Sequence, residues 1–411
     1  MPRLSAAGKK ALDELEQTAK SGRLPGFTLA VSNLDEQIYV NAAGNKTYGD
    51  SSSPQVTPET VFWICSMTKL LASLAALQLL EQGKISLEDP VSKFFPEFES
   101  AVVVQNVFTD PDPSYAAATQ AVTILHLFNH SSGLYYSFNP SAPPYRLPDP
   151  YTHPDYTGED KYSKFFELVK GKFPGIPLAF EPGSAFAYGF SSDVLGFIVE
   201  KVTGQSLDEY SKQHIFGPIG VKNTYTLTAE LKDCMIDLCF RNQDGSIEPW
   251  NDRAPVTPRY PEQVQAFFGG IGSYSTMPDY LSILRHLLQI EAGRDVPNAV
   301  LKRETVKQLF GPTLSPAGSQ ALNMFIGLLV PRTTSENSNW GLGAALTTTD
   351  MEGRRKAGSL MWSGWAGTWW FMDPKAGIAL TFGSQIAPPM DPVTAEISDL
   401  AEQIVYANLE D

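Results

Sequence analysis

The sequence predicts a mixed α/β (α+β) fold, in which both ends of the chain contribute strands to one antiparallel sheet that helices flank. Three observations support this prediction. Strand-like runs occur near both termini, a strongly apolar helix follows the first of them, and a segment with few β-branched runs lies between. One sheet built from both termini, with a mostly helical inserted domain, accounts for this order of elements.

The amino-terminal part begins with a helix that Ser5 can cap and that ends at Gly22. Residues 27–31 and 37–40 are two β-rich runs separated by a short polar segment, which predicts a hairpin. The next helix covers residues 70–80, contains only Ser73 and Gln78 as polar residues and ends at Gly83. A helix that is apolar on every face belongs inside a large core.

The middle of the chain, from residue 100 to 265, is rich in proline, tyrosine and aspartate. Helices are predicted at 122–129, 162–169 and 192–202; Ser192 or Asp193 can cap the last one, and Gly204 ends it. Residues 139–160 contain six prolines and three tyrosines, too many prolines for a helix or a central strand. A long loop of this kind is predicted to be a lid or a wall of a binding site.

Strand-like runs return in the carboxy-terminal part, at 325–330, 341–348, 358–362, 368–373 and 378–382. A turn is predicted at 373–377, and Asp391 with Pro392 starts a final amphipathic helix. By length alone the chain could hold two or three domains or one large discontinuous unit. The pattern favours a sheet domain of residues 1–99 and 266–411 and a helical insert of residues 100–265, with the active site in the cleft between them.

Composition excludes several classes of function. The net charge of −14 and the pI near 4.9 argue against binding to nucleic acid or to anionic membranes. Cys65, Cys234 and Cys239 are an odd number without metal or disulfide spacing, which is typical of a reducing compartment. No signal peptide or membrane span is visible in the sequence. We therefore expect a cytoplasmic protein that is a monomer or a weak oligomer.

A serine and a lysine at the start of the apolar helix are the first candidates for chemistry. Ser66 and Lys69 form an S-x-x-K motif, and a spacing of three residues places both side chains on one helical face. A lysine amine can take the proton of a serine hydroxyl when it is neutral, and we expect burial and the helix N-terminus to lower its pKa. About one accidental match is expected in a chain of this length, so a helix cap with an unrelated lysine is the alternative.

Two further segments supply the other groups that such a pair needs. Tyr188 follows a Pro-Gly turn just before a predicted helix, where it can face a cleft and shuttle protons. Residues 358–367 are a strand interrupted by small residues, where a substrate can approach the backbone. We expect the backbone amides of Ser66 and Trp365 to form the oxyanion hole.

Several segments carry a family resemblance that covers nearly the whole chain. Residues 122–134 are similar to a T-x-x-H-L-L-x-H-T-S-G-L segment, and Glu181-Pro182-Gly183 precedes Tyr188. The helix ending in V-T-G at 202–204, the glycine turn at 269–276 and W-G-L-G at 340–343 complete the set. The chain resembles the serine β-lactamase and penicillin-binding-protein superfamily, in particular the class C-like esterases and the fungal acyltransferases that load a methylbutyryl side chain onto a statin precursor.

This resemblance implies a class C β-lactamase-like fold and a role for each motif residue. Ser66 resembles the acylated nucleophile, Lys69 its base partner and Tyr188 the tyrosine that assists proton transfer. Two departures matter. The usual Y-x-N motif ends in Phe190, with Ser191 next to it, and the usual K-T-G strand reads Trp362-Ser363-Gly364. Tryptophan cannot supply a positive charge for the carboxylate of a β-lactam. The resemblance is therefore to the tryptophan-containing esterase branch, and β-lactamase activity is not expected.

Other residues have structural alternatives. His126 and His130 lie four residues apart, but no third ligand is near them in sequence, which favours core histidines over a metal site. Cys65 is more typical of a small buried side chain than of a reactive thiol. The tryptophans at 362–370 are either sheet core or, in part, cleft residues that suit an apolar acyl chain. The predicted substrate-binding residues are Trp362, Ser363, Gly364, Phe190, Ser191, Tyr145 and Tyr151.

The sequence therefore predicts a serine hydrolase or acyltransferase of secondary metabolism, which acts on esters or thioesters through an acyl-enzyme on Ser66 and needs no metal or cofactor. Its partners would be a small-molecule acyl donor and an alcohol acceptor or an acyl-carrier domain. One alternative is a simple carboxylesterase. Another, of a different class, is a non-catalytic protein that binds a ligand in the same cleft.

Overall fold

A seven-stranded antiparallel sheet is the centre of the fold. The structure is a computed structural model, and it describes residues 1–107, 112–136, 146–156, 160–251, 253–329 and 338–410, with only the backbone at 328 and 329. The sheet strands are β1 (Phe27–Ser32), β2 (Gln37–Ala43), β3 (Ser338–Trp340), β4 (Ala345–Thr347), β5 (Leu360–Gly364), β6 (Thr368–Asp373) and β7 (Ile378–Gly383). Their spatial order is β3-β4-β5-β6-β7-β1-β2, so β7 and β1 join the two ends of the chain as predicted.

Helices cover both faces of this sheet. Trp370 and Phe371 are neighbours on β6 and therefore point to opposite faces. The ring of Trp370 lies near Tyr280 of the helix Met277–Glu291, and the ring of Phe371 stacks near Tyr406 of the helix Pro392–Ala407. The predicted final helix is confirmed, because Asp391 caps it by accepting a hydrogen bond from the Thr394 amide at 2.8 Å.

The predicted apolar helix is confirmed as Thr68–Glu81, and every residue from Thr68 to Leu79 is buried. It packs against the helix Ser191–Thr203, which the sequence placed at 192–202. Ser192 and Asp193 lie inside this second helix, so the prediction that one of them caps it is wrong. The remaining α-helices are Ala6–Asp13, Glu16–Lys20, Ile124–Phe128, Asp149–Thr152, Lys161–Lys170, Leu207–Ser211, Gly217–Ile219, Ala229–Cys234, Arg303–Leu309 and Pro316–Leu329.

Short elements connect these helices. Single turns of other helix types are Cys65–Met67, Val91–Lys93, Pro96–Ser100 and Lys212–Phe216. Short strands pair outside the central sheet, and they are Arg3–Leu4, Phe62–Trp63, Val102–Val104, Tyr115–Ala117, Pro177–Leu178, Cys239–Arg241, Ile247–Pro249, Tyr274–Ser275, Ile386–Ala387 and Leu409–Glu410. The predicted insert is therefore mixed, with helices and two small sheets that draw on residues 100–265.

Three predicted elements differ from the structure. The strand at 325–330 is wrong, because residues 325–329 belong to the helix Pro316–Leu329, where Leu322 and Ile326 lie four residues apart and are both buried; residue 330 lies outside the described residues. The strand at 341–348 is a turn followed by β4. The first helix breaks after Asp13, although Ser5 caps it and accepts the Gly8 amide hydrogen at 3.0 Å.

The predicted division into a sheet domain (1–99 with 266–411) and an insert (100–265) stays a prediction, because one continuous cluster of buried apolar residues includes both parts. Much of the predicted lid, residues 139–145 and 157–159, lies outside the described residues. Its described part contains the one-turn helix Asp149–Thr152, which tolerates Pro150 because proline suits a helical first turn. In the described ranges no helix is long and apolar enough to cross a membrane.

Candidate active site

Ser66 lies in the single turn Cys65–Met67 that leads into the helix Thr68–Glu81. Cys65 has a φ of +48°, an unfavourable conformation for a residue with a side chain. The Thr68 hydroxyl holds this turn by donating to the Cys65 carbonyl at 2.6 Å. Only 9% of Ser66 is exposed, so the residue is nearly buried. The nucleophile predicted from the sequence therefore stands on a strained turn at a helix start.

Lys69 is the lysine of the S-x-x-K motif, and only 1% of it is exposed. Its ammonium nitrogen lies 3.3 Å from Ser66 Oγ, 3.1 Å from the Tyr136 hydroxyl and 2.8 Å from the Gly270 carbonyl oxygen. A charged lysine has three hydrogens to donate, and these three oxygens can accept them. The geometry therefore matches the protonated form of Lys69.

The electrostatic surroundings also favour the charged form. Burial lowers the pKa of Lys69, but the oxygens of Tyr136 and Tyr188 and the carboxylate of Asp193 raise it, and the pKa lies above its ordinary value. The expectation of a lowered pKa, made from the sequence, left the protonation state of Lys69 open. It considered the apolar helix alone, whereas three oxygen-bearing side chains from other segments surround the amine.

Tyr188 lies next to Lys69, as its motif predicts. The lysine nitrogen is 4.6 Å from the centre of the Tyr188 ring, and the Tyr188 hydroxyl accepts a hydrogen bond from Trp362 Nε1 at 2.9 Å. Gly189 lets this loop pass close to the neighbouring chain, since a Cβ there would lie 2.5 Å from the Leu134 carbonyl oxygen. The predicted trio of Ser66, Lys69 and Tyr188 is thus brought together, and Trp362 orients its tyrosine.

Aromatic side chains surround the Tyr188 ring. His130 lies 5.2 Å from it and Phe325 5.3 Å, measured between ring centres. Burial and the charge of Lys69 hold the pKa of His130 well below its usual range, so this histidine is neutral. His126 instead caps its own helix, because its Nδ1 accepts the Thr123 amide hydrogen at 3.2 Å. In the described ranges no three potential metal-binding side chains lie together.

The end of β5 presses against the turn that carries Ser66. A Cβ on Gly364 would lie 2.6 Å from the Ile64 carbonyl oxygen and 3.2 Å from Cys65 Cβ, so only glycine allows this approach. The Trp365 ring packs against Trp63 and Trp250. This packing fixes the backbone beside the turn, where the predicted oxyanion amides would have to be.

One of the three cysteines, Cys65, belongs to the turn that carries Ser66. Cys65 is fully buried, and burial raises the pKa of its thiol, which matches the prediction of an inert side chain. Cys65, Cys234 and Cys239 are all free.

Several predicted substrate-binding residues are placed differently. Phe190 and Ser191 are 1% and 0% exposed, and the Ser191 hydroxyl is hydrogen bonded to that of Ser132 at 2.8 Å. Tyr151, also 1% exposed, bonds to other side chains in the interior. All three present little surface in this conformation, and their part in substrate binding stays a prediction. Trp362 is 5% exposed, Ser363 and Gly364 are half-buried, and Tyr145 lies outside the described residues.

Sequence reasoning missed three residues that surround Lys69. Tyr136 receives a hydrogen bond from Lys69, Gly270 offers its carbonyl to the same amine, and Asp193 binds the Gly270 amide at 2.8 Å. One signal was available: Asp193 is an acidic residue within the apolar stripe of a predicted helix. The sequence pattern indicated Asp193 as a possible helix cap and therefore did not predict a carboxylate in the interior.

Comparison with known proteins gives the family. The family model described as Beta-lactamase matches residues 12–403. Monacolin J acid methylbutanoyltransferase from Aspergillus terreus is 26% identical over 410 residues, with 95% of this chain and 94% of that protein covered. Lovastatin esterase from Penicillium rubens is 28% identical over 381 residues, and the match covers 90% of this chain and 91% of that protein.

The fold has a close counterpart among solved structures. The LovD6 mutant of simvastatin synthase from Aspergillus terreus superimposes with a TM-score of 0.78 at 25% identity, and the match covers 98% of this chain and 95% of that one. Family model, full-length relatives and fold agree with the resemblance that the sequence motifs carry. The chain belongs to the β-lactamase family.

Proposed function

We propose that the protein is a serine esterase or acyltransferase that forms an acyl-enzyme on Ser66. The observation that carries this proposal is the contact of 3.3 Å between Lys69 Nζ and Ser66 Oγ inside a buried site, with the Tyr188 ring over the same amine. A buried lysine in contact with a serine is an arrangement that can activate the hydroxyl. Both the transferase and the esterase among the relatives support it.

In the first half-reaction, Ser66 Oγ attacks the carbonyl carbon of an ester or thioester. Its proton passes to the neutral amine of Lys69, the Tyr188 hydroxyl delivers a proton to the leaving alcohol or thiol, and Lys69 passes the serine proton on to the Tyr188 oxygen. The amides of Ser66 and Trp365 would stabilise the oxyanion, and one such donor is typically worth about 10²–10³ in rate. A Lys69 in its charged form must lose a proton before the attack.

In the second half-reaction, the acyl group passes to water or to an alcohol. Trp362 and Phe325, which pack against Tyr188, would give an apolar wall that suits a bulky alcohol and disfavours water. We propose transfer to a polyketide-type alcohol in secondary metabolism, with a small-molecule thioester or an acyl-carrier domain as donor. Simple ester hydrolysis is the second candidate, and the esterase among the relatives favours it.

A true β-lactamase activity does not fit this site. The strand position that carries a cation in β-lactamases is occupied by Trp362, whose indole N–H is already donated to Tyr188. An indole supplies no positive charge for the carboxylate of a β-lactam. Incubation with a chromogenic cephalosporin should therefore give no burst of product.

The proposal is tested by intact-mass spectrometry after mixing with p-nitrophenyl butyrate. Wild-type protein should gain one butyryl group, and Ser66→Ala should gain none. Ser73→Ala is the matched control, since Ser73 is a buried serine on the same helix, and it should still be acylated. A panel of polyketide alcohols then separates the two candidates, because an alcohol that clears the adduct faster than water identifies a transferase. If folded wild-type protein is labelled neither by the ester nor by a fluorophosphonate, the cleft binds ligands without catalysis.

A further inference from the structure

A chain of hydrogen bonds leads from Lys69 into the interior and ends at a carboxylate. Lys69 Nζ lies 3.1 Å from the Tyr136 hydroxyl, this hydroxyl lies 2.9 Å from that of Tyr151, and the Tyr151 hydroxyl lies 2.6 Å from Asp193 Oδ2. Asp193 is 0% exposed and Tyr151 1%. The chain therefore links the reactive amine to a buried acid along hydroxyl groups alone.

The chemistry of its two ends fixes the direction of these hydrogen bonds. An ionised Asp193 can only accept, so Tyr151 donates to it. The Tyr151 oxygen is then free to accept from Tyr136, and the Tyr136 oxygen accepts from Lys69. Each group donates towards Asp193, which is the order required for a proton to move from the lysine to the carboxylate.

Gly270 joins the two ends of the chain. Its amide donates to Asp193 Oδ1 at 2.8 Å, and its carbonyl accepts from Lys69 at 2.8 Å. A Cβ at this position would lie 2.7 Å from Asp193 Oδ2 and 2.8 Å from the Tyr151 hydroxyl. Only glycine leaves room for the chain, which makes an accidental arrangement of the four side chains a poor explanation.

The groups that face Asp193 come from several elements. They are Lys69 from the central helix, Tyr151 and Tyr156 from the 146–156 segment, Tyr136, Tyr225 and the Gly270 amide. Burial raises the pKa of Asp193 to about 6, although the charge of Lys69 and the hydrogen bonds oppose the rise. A carboxylate of this kind is ionised at neutral pH and accepts a proton more readily than an exposed one.

We propose that Asp193 takes up, through the hydroxyls of Tyr151 and Tyr136, the proton that Lys69 must lose before Ser66 attacks. This inference rests on the proposed function. Lys69 gives one proton to Tyr136, Tyr136 gives its own to Tyr151, and Tyr151 gives its own to Asp193. The ammonium becomes an amine, the carboxylate becomes a carboxylic acid, and both tyrosines stay neutral. Asp193 touches no substrate and is a positioning residue that acts through Lys69.

The proposal predicts a specific pH profile for acylation. Below about pH 6 solvent protonates Asp193, which then cannot accept the proton of Lys69, so the rate falls. In Asp193→Asn the amide donates to Tyr151, so no proton acceptor remains at the interior end of the chain. Lys69 must then lose its proton to solvent, and the acid limb moves to higher pH. The variant should be slower by about tenfold or more at pH 6.5, with a difference that shrinks towards pH 9.

The measurement is the stopped-flow burst of p-nitrophenol from p-nitrophenyl butyrate between pH 5 and 10, with fluorophosphonate labelling of Ser66 as a second readout. Glu200→Gln and Tyr162→Phe are the matched controls, because Glu200 is a second buried acid on the same helix and binds the Tyr162 hydroxyl at 3.0 Å. Both controls should keep the wild-type profile. Tyr151→Phe breaks the chain but keeps Asp193 and should also slow acylation by about tenfold.

Three outcomes are informative in different ways. A wild-type protein that gives neither burst nor label removes the proposed function itself. An active wild type with an unchanged acid limb in Asp193→Asn, or with the same loss at every pH, removes the proton-transfer role of Asp193. If circular dichroism shows that Asp193→Asn does not fold, the profile of Tyr151→Phe decides, and wild-type rates in that variant reject the inference.

Discussion

Gly364→Ala tests how closely the end of β5 must approach the nucleophile. The new Cβ would lie 2.6 Å from the Ile64 carbonyl oxygen and 2.1 Å from the Thr368 hydroxyl oxygen. The threonine can rotate, but the carbonyl belongs to the turn that carries Ser66. An ordinary contact is about 3.5 Å, so β5 and the turn must separate by roughly 1 Å. A hydrogen bond of about 2.9 Å to the oxyanion would then be too long to form.

Loss of one oxyanion donor lowers the acylation rate by about 10²–10³, and overpacking costs about 1–3 kcal/mol of stability. The burst rate with p-nitrophenyl butyrate measures the first effect, and urea unfolding measures the second. Gly327→Ala is the control, because a Cβ there meets no atom of the described residues within 4 Å, and it should leave the rate unchanged. A folded Gly364→Ala protein that acylates within twofold of wild type would show that β5 supplies no oxyanion donor.

Three other changes have definite expected results. Trp362→Phe removes the hydrogen bond to Tyr188, so kcat should fall about tenfold with little change in KM, as steady-state ester hydrolysis will show. The raised pKa of Asp193 means that this group stabilises the fold below about pH 4 and that the stability is lost as pH rises through about 6. Asp193→Asn should therefore gain up to about 3 kcal/mol relative to wild type between pH 4 and pH 8 in urea unfolding. Glu402→Gln breaks the buried pair with Arg355 at 2.7 Å and should cost about 3–5 kcal/mol by the same method, while folded protein keeps its burst rate.

The sequence was sufficient where local geometry decides the outcome. Ser66 and Lys69 had to meet because residues three apart share a helical face, and the hairpin of β1 and β2 followed from its composition. The strand predicted at 325–330 failed because a short apolar run cannot be told from a buried helix by periodicity. Tyr188 was found through its motif, and its bond to Trp362 was not, since that bond joins two segments far apart in the chain.

Long-range contacts also bear on the charge of Lys69, which the sequence left open. An apolar helix alone would favour a neutral amine, because a single buried charge is expensive. Asp193 from a second helix changes this result, since a lysine and an aspartate in one interior can share one proton. With the proton on Lys69 the site holds an ammonium and a carboxylate, and with the proton on Asp193 it holds an amine and an acid. The net charge of the buried site is zero in both states, so the transfer requires no ion to enter or leave the apolar core. In the proposed path, the Tyr136–Tyr151 connection lets Lys69 become a base with no change in the net charge of the site.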